Sequence, residues 1–408
     1  MTTPQDTHEH PFLTNFLKDL YHCSDCGYCV EAIWEERDIH HICATLQSHS
    51  PGLSYSGQGY IKTARAWIEG EDLPLSSIAD HAFTCTTCGN CERICPIGMR
   101  PMEINRALRS ELIMRDIAPD AVVQIQESVL KQQNPSGGAL SERYDWATGQ
   151  DSVARSTTDP TDVVYLPGCA SAYSRPQEAQ ATLRLLAASG QSIQLLGEDD
   201  RCCGAPLKEL GFVDAANNSA RQLNDSLAQR RYSTLLTSGC ECANSLAESQ
   251  GHSSFVAWLT TALNAKQLSL SAKNALPHVA CIESCQATMS PQLQSTKGND
   301  NQALYDLLTE LGVTVNGGKP ASRYALCCGA AGGAPAMHPA SSADMARARI
   351  SEALATAQSD GCEPLAAIVS IDPRCVAHLD SAREDSDPPI YGLAEFIDTF
   401  FTVNSEDV

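Results

Sequence analysis

Two runs of closely spaced cysteines near the start of the chain limit its fold and chemistry more than any other feature. Cys85, Cys88, Cys91 and Cys95 read C-x2-C-x2-C-x3-C, and Pro96 follows. Three thiolates within seven residues wrap three corners of a cubane from one tight loop. The spacing is that of the bacterial ferredoxin run for a [4Fe–4S] cluster. Cys23, Cys26 and Cys29 repeat the C-x2-C-x2-C pattern, and the next cysteine, Cys43, lies fourteen residues on without a proline. In two-cluster ferredoxins the cysteine before proline ligates the other cluster. The expected assignment is therefore crossed. Cys23, Cys26, Cys29 and Cys95 serve one cluster, and Cys85, Cys88, Cys91 and Cys43 serve the other. Zinc sites also use C-x2-C pairs, but rarely three cysteines in a row at this spacing.

The chain holds nineteen cysteines in 408 residues. That length allows two or three domains. The N-terminus, MTTPQDTHEHPF, has neither a basic start nor an apolar run, so no secretory signal is expected. No stretch reaches the ~18 apolar residues of a membrane span. The expected location is the cytoplasm, with a peripheral place at the inner face of a membrane. A reducing cytoplasm disfavours disulfides, so the cysteines point to metal or catalysis. The formal net charge of −21 argues against nucleic acid, which is gripped by neutralising phosphates. It also argues against an electrostatic hold on anionic lipid.

Residues 1–120 form the expected ferredoxin-like domain, small and helical. Residues 121–162 read as a linker, because the stretch from 133 is polar and rich in Gly, Ser, Thr and Asp. Beyond it the chain repeats. In 163–262, strand DVVYLPGC ends at Cys169, a helix follows to Gly190, and strand SIQLL precedes a loop with Cys202 and Cys203. A second helix and strand STLLTSGC then reach Cys240. In 274–408, HVACIESC ends at Cys285, and a helix and strand precede Cys327 and Cys328. A helix and the strand LAAIVSIDPRC end at Cys375. Alternating strands and helices predict two pseudo-symmetric α/β halves with mostly parallel sheets. The cysteines fall just past strand ends, where open α/β sheets place ligands.

Adjacent cysteines diverge in a strand, so each pair reaches one metal centre only from a loop. Each pair also precedes a glycine, which lets the backbone turn. Two small buried residues are the bland alternative, weakened by the pair's recurrence at matching places. SYSGQGY, with Gly57 and Gly59, lacks a full phosphate-loop pattern and reads as a turn.

With thirty-two residues separating Cys169 from the CCG at Cys202, and a further cysteine pair after it, the chain resembles the CCG-domain iron–sulfur oxidoreductases. A ferredoxin-like domain fused to two CCG domains is similar to the D-type subunit of heterodisulfide reductase. It is equally similar to the iron–sulfur subunit of glycolate oxidase and to the C-type subunit of anaerobic glycerol-3-phosphate dehydrogenase. RCCGAPLKELG is closer to the reductase style, whereas LCCGAAGG and RCVAHL are closer to the glycolate oxidase style. The resemblance implies two cubane [4Fe–4S] clusters and one or two further clusters in the CCG halves. Carried over, the first half offers Cys169, Cys202, Cys203, Cys240 and Cys242, with C-x-C where C-x2-C is usual. In an extended chain positions two apart face the same way, so both members could bind. The second half offers Cys285, Cys327, Cys328 and Cys375, has Asp372 where a fifth cysteine is expected, and has Cys281 as a substitute. Cys362 reads as a buried structural residue.

No FAD or NAD fingerprint occurs, so hydride chemistry is expected on an FAD-containing dehydrogenase partner. Electrons would pass through this chain to a quinone, by way of a membrane partner, or to another carrier. The rival reading is a reductase that splits disulfides at the CCG clusters.

Overall fold

A computed structural model describes residues 9–31, 41–48, 52–148, 154–155, 159–289, 299–316, 325–359, 361 and 364–404. Two parallel sheets form the body of the molecule. The first contains β1 (Ala154–Arg155), β2 (Thr161–Leu166), β3 (Ile193–Leu195), β4 (Tyr232–Thr237) and β5 (His252–Ser254), in the order β1-β3-β2-β4-β5. After β6 (Leu270–Ala272), the second contains β7 (His278–Cys281), β8 (Thr314–Asn316), β9 (Ala367–Ser370) and β10 (Ile390–Gly392), in the order β10-β9-β7-β8. The shared order, β3-β2-β4-β5 and β8-β7-β9-β10, is the repeat expected from the sequence. Val163 to Leu166 and Ala367 to Ser370 are buried without alternation, as strands covered on both faces must be. Helices Pro176–Ala188 and Asp300–Glu310 make matching crossovers. Proline opens the first, and Gly190, at φ +74°, follows its end, the usual asymmetry of helix termini.

The halves share one core. Val163, Leu195, Leu236 and Phe255 of the first pack in the same cluster as Val279, Leu304, Val369 and Phe396 of the second. Polar links reinforce it. Glu178 accepts from the backbone N–H groups of Ala394 (3.1 Å) and Glu395 (2.9 Å), at the start of helix Leu393–Phe400. Arg175 pairs with Asp380 (3.0 Å) and Glu395 (2.6 Å). β6 pairs antiparallel with β11 (Phe401–Val403), which ties the junction between the halves to the C-terminal region.

The N-terminal domain is helical, built mainly on Gly57–Ile68, Leu75–Ala82 and Pro101–Met114. Its apolar residues pack in one cluster with Leu207, Leu210 and Phe212 of the first CCG half. Arg109, 0% exposed, locks the contact. It donates to the carbonyls of Ala82 (2.9 Å), Cys85 (2.6 Å), Glu209 (2.7 Å) and Gly332 (3.0 Å). These carbonyls belong to the N-terminal domain and to both CCG halves.

The segment expected as a linker is folded. Asp120–Gln132 is a helix with Val122 and Val129 buried, and Asn134, Arg143, Trp146 and Ala147 are buried beyond it. Its polar residues satisfy one another locally. Asn134 donates to Gln132 O and Gly138 O, and accepts from Ser136. SYSGQGY is the start of a helix, capped by Ser56, and not a free turn. Among the described residues no helix is long and apolar enough to cross a membrane.

Arg109→Leu would orphan four buried carbonyls and remove a buried charge from its partners. The expected loss is on the order of 3–5 kcal/mol of stability, read by anaerobic denaturant unfolding. A change under about 1 kcal/mol would show that Arg109 does not lock the domains.

Candidate metal centres

The two N-terminal runs adopt the same unusual backbone. In the first, Asp25 and Gly27 have φ of +54° and +80°; in the second, Thr87 and Gly89 have +52° and +73°. Left-handed conformation at a non-glycine residue is uncommon and marks a functional constraint. Its recurrence at the same two places turns each run into a loop that gathers its thiols.

Cys23, Cys26 and Cys29 surround one small void together with Cys95, which comes from the other run. The backbone N–H of Met99 donates to Cys95 Sγ (3.3 Å). Burial pushes the Cys29 thiol up to about 12, and neighbouring Cys23 adds to the shift. Cys43 belongs with the second run. Its thiol, also at about 12, is raised first by burial, then by Cys88, and less by Cys85. Thr87 N–H donates to Cys85 Sγ (3.3 Å). Gly57 explains why the two groups sit side by side. A Cβ there would lie 2.7 Å from Cys91 Cβ and 3.3 Å from Cys29 Cβ.

In the CCG halves the glycine after each pair has the same task. Gly204 (φ +81°) and Gly329 (φ +93°) press against the next long helix, where a Cβ would meet Ala216 O at 2.5 Å and Ser342 O at 2.6 Å. In the first half, Cys169, Cys202, Cys203 and Cys242 adjoin one another. Cys203 and Cys242 are 3.5 Å apart at sulfur, and Cys202 lies between Cys169 and Cys203. In the second half the matching set is Cys285, Cys327, Cys328 and Cys375. Cys328 and Cys375 are 3.0 Å apart at sulfur, and Gly329 N–H donates to Cys327 Sγ (3.3 Å).

The remaining candidates lie elsewhere. Cys240 opens helix Cys240–Ser245 and lines a small void with Ser254, Asp300 and Ile371, at the junction of the halves. Cys281 ends β7 in the shared apolar core, beside Glu283. Asp372 accepts from Ser284 Oγ (2.8 Å) and caps helix Pro373–Ser381 through Arg374 N–H (3.0 Å). Both its oxygens are thus used in hydrogen bonds. Cys362 lies outside the described residues.

Two contacts have no warning in the sequence pattern. Cys88 of the N-terminal domain packs against the buried second-half thiols Cys285 and Cys327. The first-half thiols border a cavity of about 230 Å³, lined also by Pro206, Leu210, Gly332 and Arg374. Arg374 forks onto Glu209 (3.1 Å to each oxygen) and pairs with Glu241. Burial pushes the Glu241 carboxyl up, and the Arg374 guanidinium against it pulls it back toward the charged form. Glu241 and Arg374 each stand one residue before the last cysteine of their half, so matched positions of the repeat meet as an ion pair.

The donor set fits iron–sulfur chemistry. These are crowded thiols, mostly buried, and burial with the neighbouring sulfurs raises several of them, Cys29 and Cys43 among them. Positive metal charge would release their protons and relieve that crowding. Among the described residues no three side chains converge closely enough for one ion, whereas thiolates of a cluster bind separate irons and need only surround it.

Known proteins agree. A family described as a 4Fe-4S dicluster domain matches residues 19–99, and one described as a cysteine-rich domain, CCG, matches 163–247 and 279–380. The D-type subunit of the dihydromethanophenazine:CoB–CoM heterodisulfide reductase of Methanosarcina barkeri is 28% identical over 244 residues, 55% of this chain and 56% of that one. The glycolate oxidase iron-sulfur subunit of Escherichia coli is 26% identical over 222 residues, 48% of this chain and 50% of that one. The chain thus spans about half the length of the curated relatives it matches. Both relatives are oxidoreductase subunits. With a dicluster domain followed by two cysteine-rich repeats, the chain belongs to the CCG-domain iron–sulfur oxidoreductase family.

Proposed function

We propose that this chain is the electron-transfer subunit of a larger oxidoreductase, linking an FAD-containing dehydrogenase of a 2-hydroxy acid or similar substrate to a quinone or other carrier. The observation that carries the reading is the contact of Cys88 with Cys327 and Cys285. It joins the second-half thiols to the dicluster domain. Bound clusters would supply one-electron chemistry. Cys23, Cys26, Cys29 and Cys95 would hold one cubane, and Cys85, Cys88, Cys91 and Cys43 the other. Cys285, Cys327, Cys328 and Cys375 would hold a conventional four-thiolate centre. Asp372, a hard oxygen donor already committed to Ser284 and a helix cap, adds no fifth ligand. Cys169, Cys202, Cys203 and Cys242 would hold a further centre at the cavity.

The rival reading, disulfide cleavage as in heterodisulfide reductases, draws support from that cavity, which brings a small molecule within reach of the first-half thiols. Cleavage between two special clusters asks both halves to face the substrate. The second half faces Cys88 instead.

The anaerobically purified protein is expected to be brown, with iron and acid-labile sulfide in near-equal amounts and about eight irons in the dicluster domain. Zinc in their place ends the reading. Cys95→Ala is expected to perturb the spectrum of the Cys23 cluster and to spare its neighbour; loss confined to the Cys85 cluster would show that the ligation is not crossed. With low-molecular-weight disulfides and an anaerobic reductant, turnover is expected to be slow or absent. Transfer to a quinone analogue should appear once the flavoprotein is added. Fast disulfide turnover, abolished alike by Cys203→Ala and Cys328→Ala, would make both halves catalytic and overturn the relay.

A further inference from the structure

Arg143 lies in the segment whose composition reads as a linker, yet it is 1% exposed. Its guanidinium reaches Cys169 Sγ at 3.7 Å through Nη1. Asp200, two residues before Cys202, holds it from behind through Nη2 (2.9 Å) and Nε (2.8 Å). Tyr144 Oη donates to the same carboxylate (2.5 Å), and the Gln133 carbonyl accepts from Nη1 (3.4 Å). The arrangement aims a fixed positive group, already stripped of water, at one thiol of the first half.

The second half is built differently. Ala325 occupies the position of Asp200, two residues before its cysteine pair, and Ala325 is buried beside Cys285 and Cys327. The side chain that reaches this thiol group from the N-terminal domain is Cys88, which brings no positive charge, and Arg374, the cation beside Cys375, is paired with two carboxylates, Glu209 and Glu241.

Reduction of an iron–sulfur centre adds one negative charge. A hydrogen bond to a ligating sulfur and a nearby buried cation both favour the reduced form. Asp200 offsets part of the charge of Arg143, but the guanidinium is the end of the pair that touches sulfur. We infer that Arg143 is a positioning residue that raises the reduction potential of the centre held by Cys169, Cys202, Cys203 and Cys242 above that of the second-half centre. The inference rests on the reading of these four thiols as cluster ligands. It assigns a direction: electrons collect at the first half, beside the cavity. It also gives the apparent linker a function, because the residue that sets the potential is carried by the segment joining the domains.

The test is a redox titration of the full chain followed by electron paramagnetic resonance, with the other clusters as internal references. Arg143→Gln, which leaves Asp200 uncompensated, is expected to shift the first-half midpoint to a more negative potential. Arg143→Gln with Asp200→Asn, which removes both charges, should shift it less in the same direction. Arg143→Lys should stay near the wild type, and the dicluster midpoints should not move in any variant. If the single variant does not fold, the double variant decides. A double variant that keeps the first-half signal at the wild-type potential overturns the inference. So does one that loses the signal altogether, since Arg143 would then hold the site together without tuning it. Cys203→Ala separates the two levels: if it removes no signal, the first-half thiols hold no cluster and the underlying reading fails.

Discussion

Sulfur atoms that must meet in groups of four, out of water, dictate the backbone around them. Burying a thiol among others raises the cost of ionising it, as the values of about 12 at Cys29 and Cys43 illustrate. Such groups are tolerable only if turns deliver the sulfurs without strain elsewhere and if metal charge arrives. The turns are supplied by left-handed residues at fixed places: Asp25 and Gly27, Thr87 and Gly89, then Gly204 and Gly329. N–H groups of Thr87, Met99 and Gly329 then point at sulfur. Sheets, crossovers and the shared core serve to hold these turns in register.

Repetition sets up the two CCG halves, and departures from it give them different tasks. The residue before each last cysteine is Glu241 in one half and Arg374 in the other, so the pseudo-two-fold junction closes with an ion pair where identical residues would repel or leave a void. The residue two before each cysteine pair is Asp200 in one half and Ala325 in the other. One half therefore carries a charged brace against Arg143, and the other an apolar seat at the boundary with the dicluster domain. The first half is left with a cavity and the second with a neighbour. Divergence after duplication has acted on the surroundings of the sulfur and has kept the four matching thiols.

The cysteine spacings and the repeat of strands and helices were legible because each rests on local pattern. Cys95 borders the void of the first run, a placement the crossed assignment needs. What escaped depends on tertiary placement. Cys240 and Cys242 would face the same way only in an extended chain. The two residues begin a helix instead, where positions two apart point about 200° away from each other, so only Cys242 joins the group. Cys281 belongs to a strand whose side chains enter the shared core, and four residues of chain do not bring it back to Cys285. The segment around Arg143 looked like a linker because its polar residues are abundant. Their hydrogen bonds are internal, which composition does not reveal.

The four thiol groups also differ in their access to solvent. Cys26 is exposed, and Tyr28 and Ile97, residues of the same void, are 55% and 52% exposed. Large apolar side chains left in water beside a redox site suit a transient contact with a protein partner. Moving inward, Gly57 keeps the second group against the first, and Cys88 keeps the third against the second. The fourth group borders a cavity large enough for a small molecule. An apolar contact face at one end and a cavity at the other are what the proposed relay asks for. Arg143, acting on the last group, lies where a change in potential would pull charge along that direction.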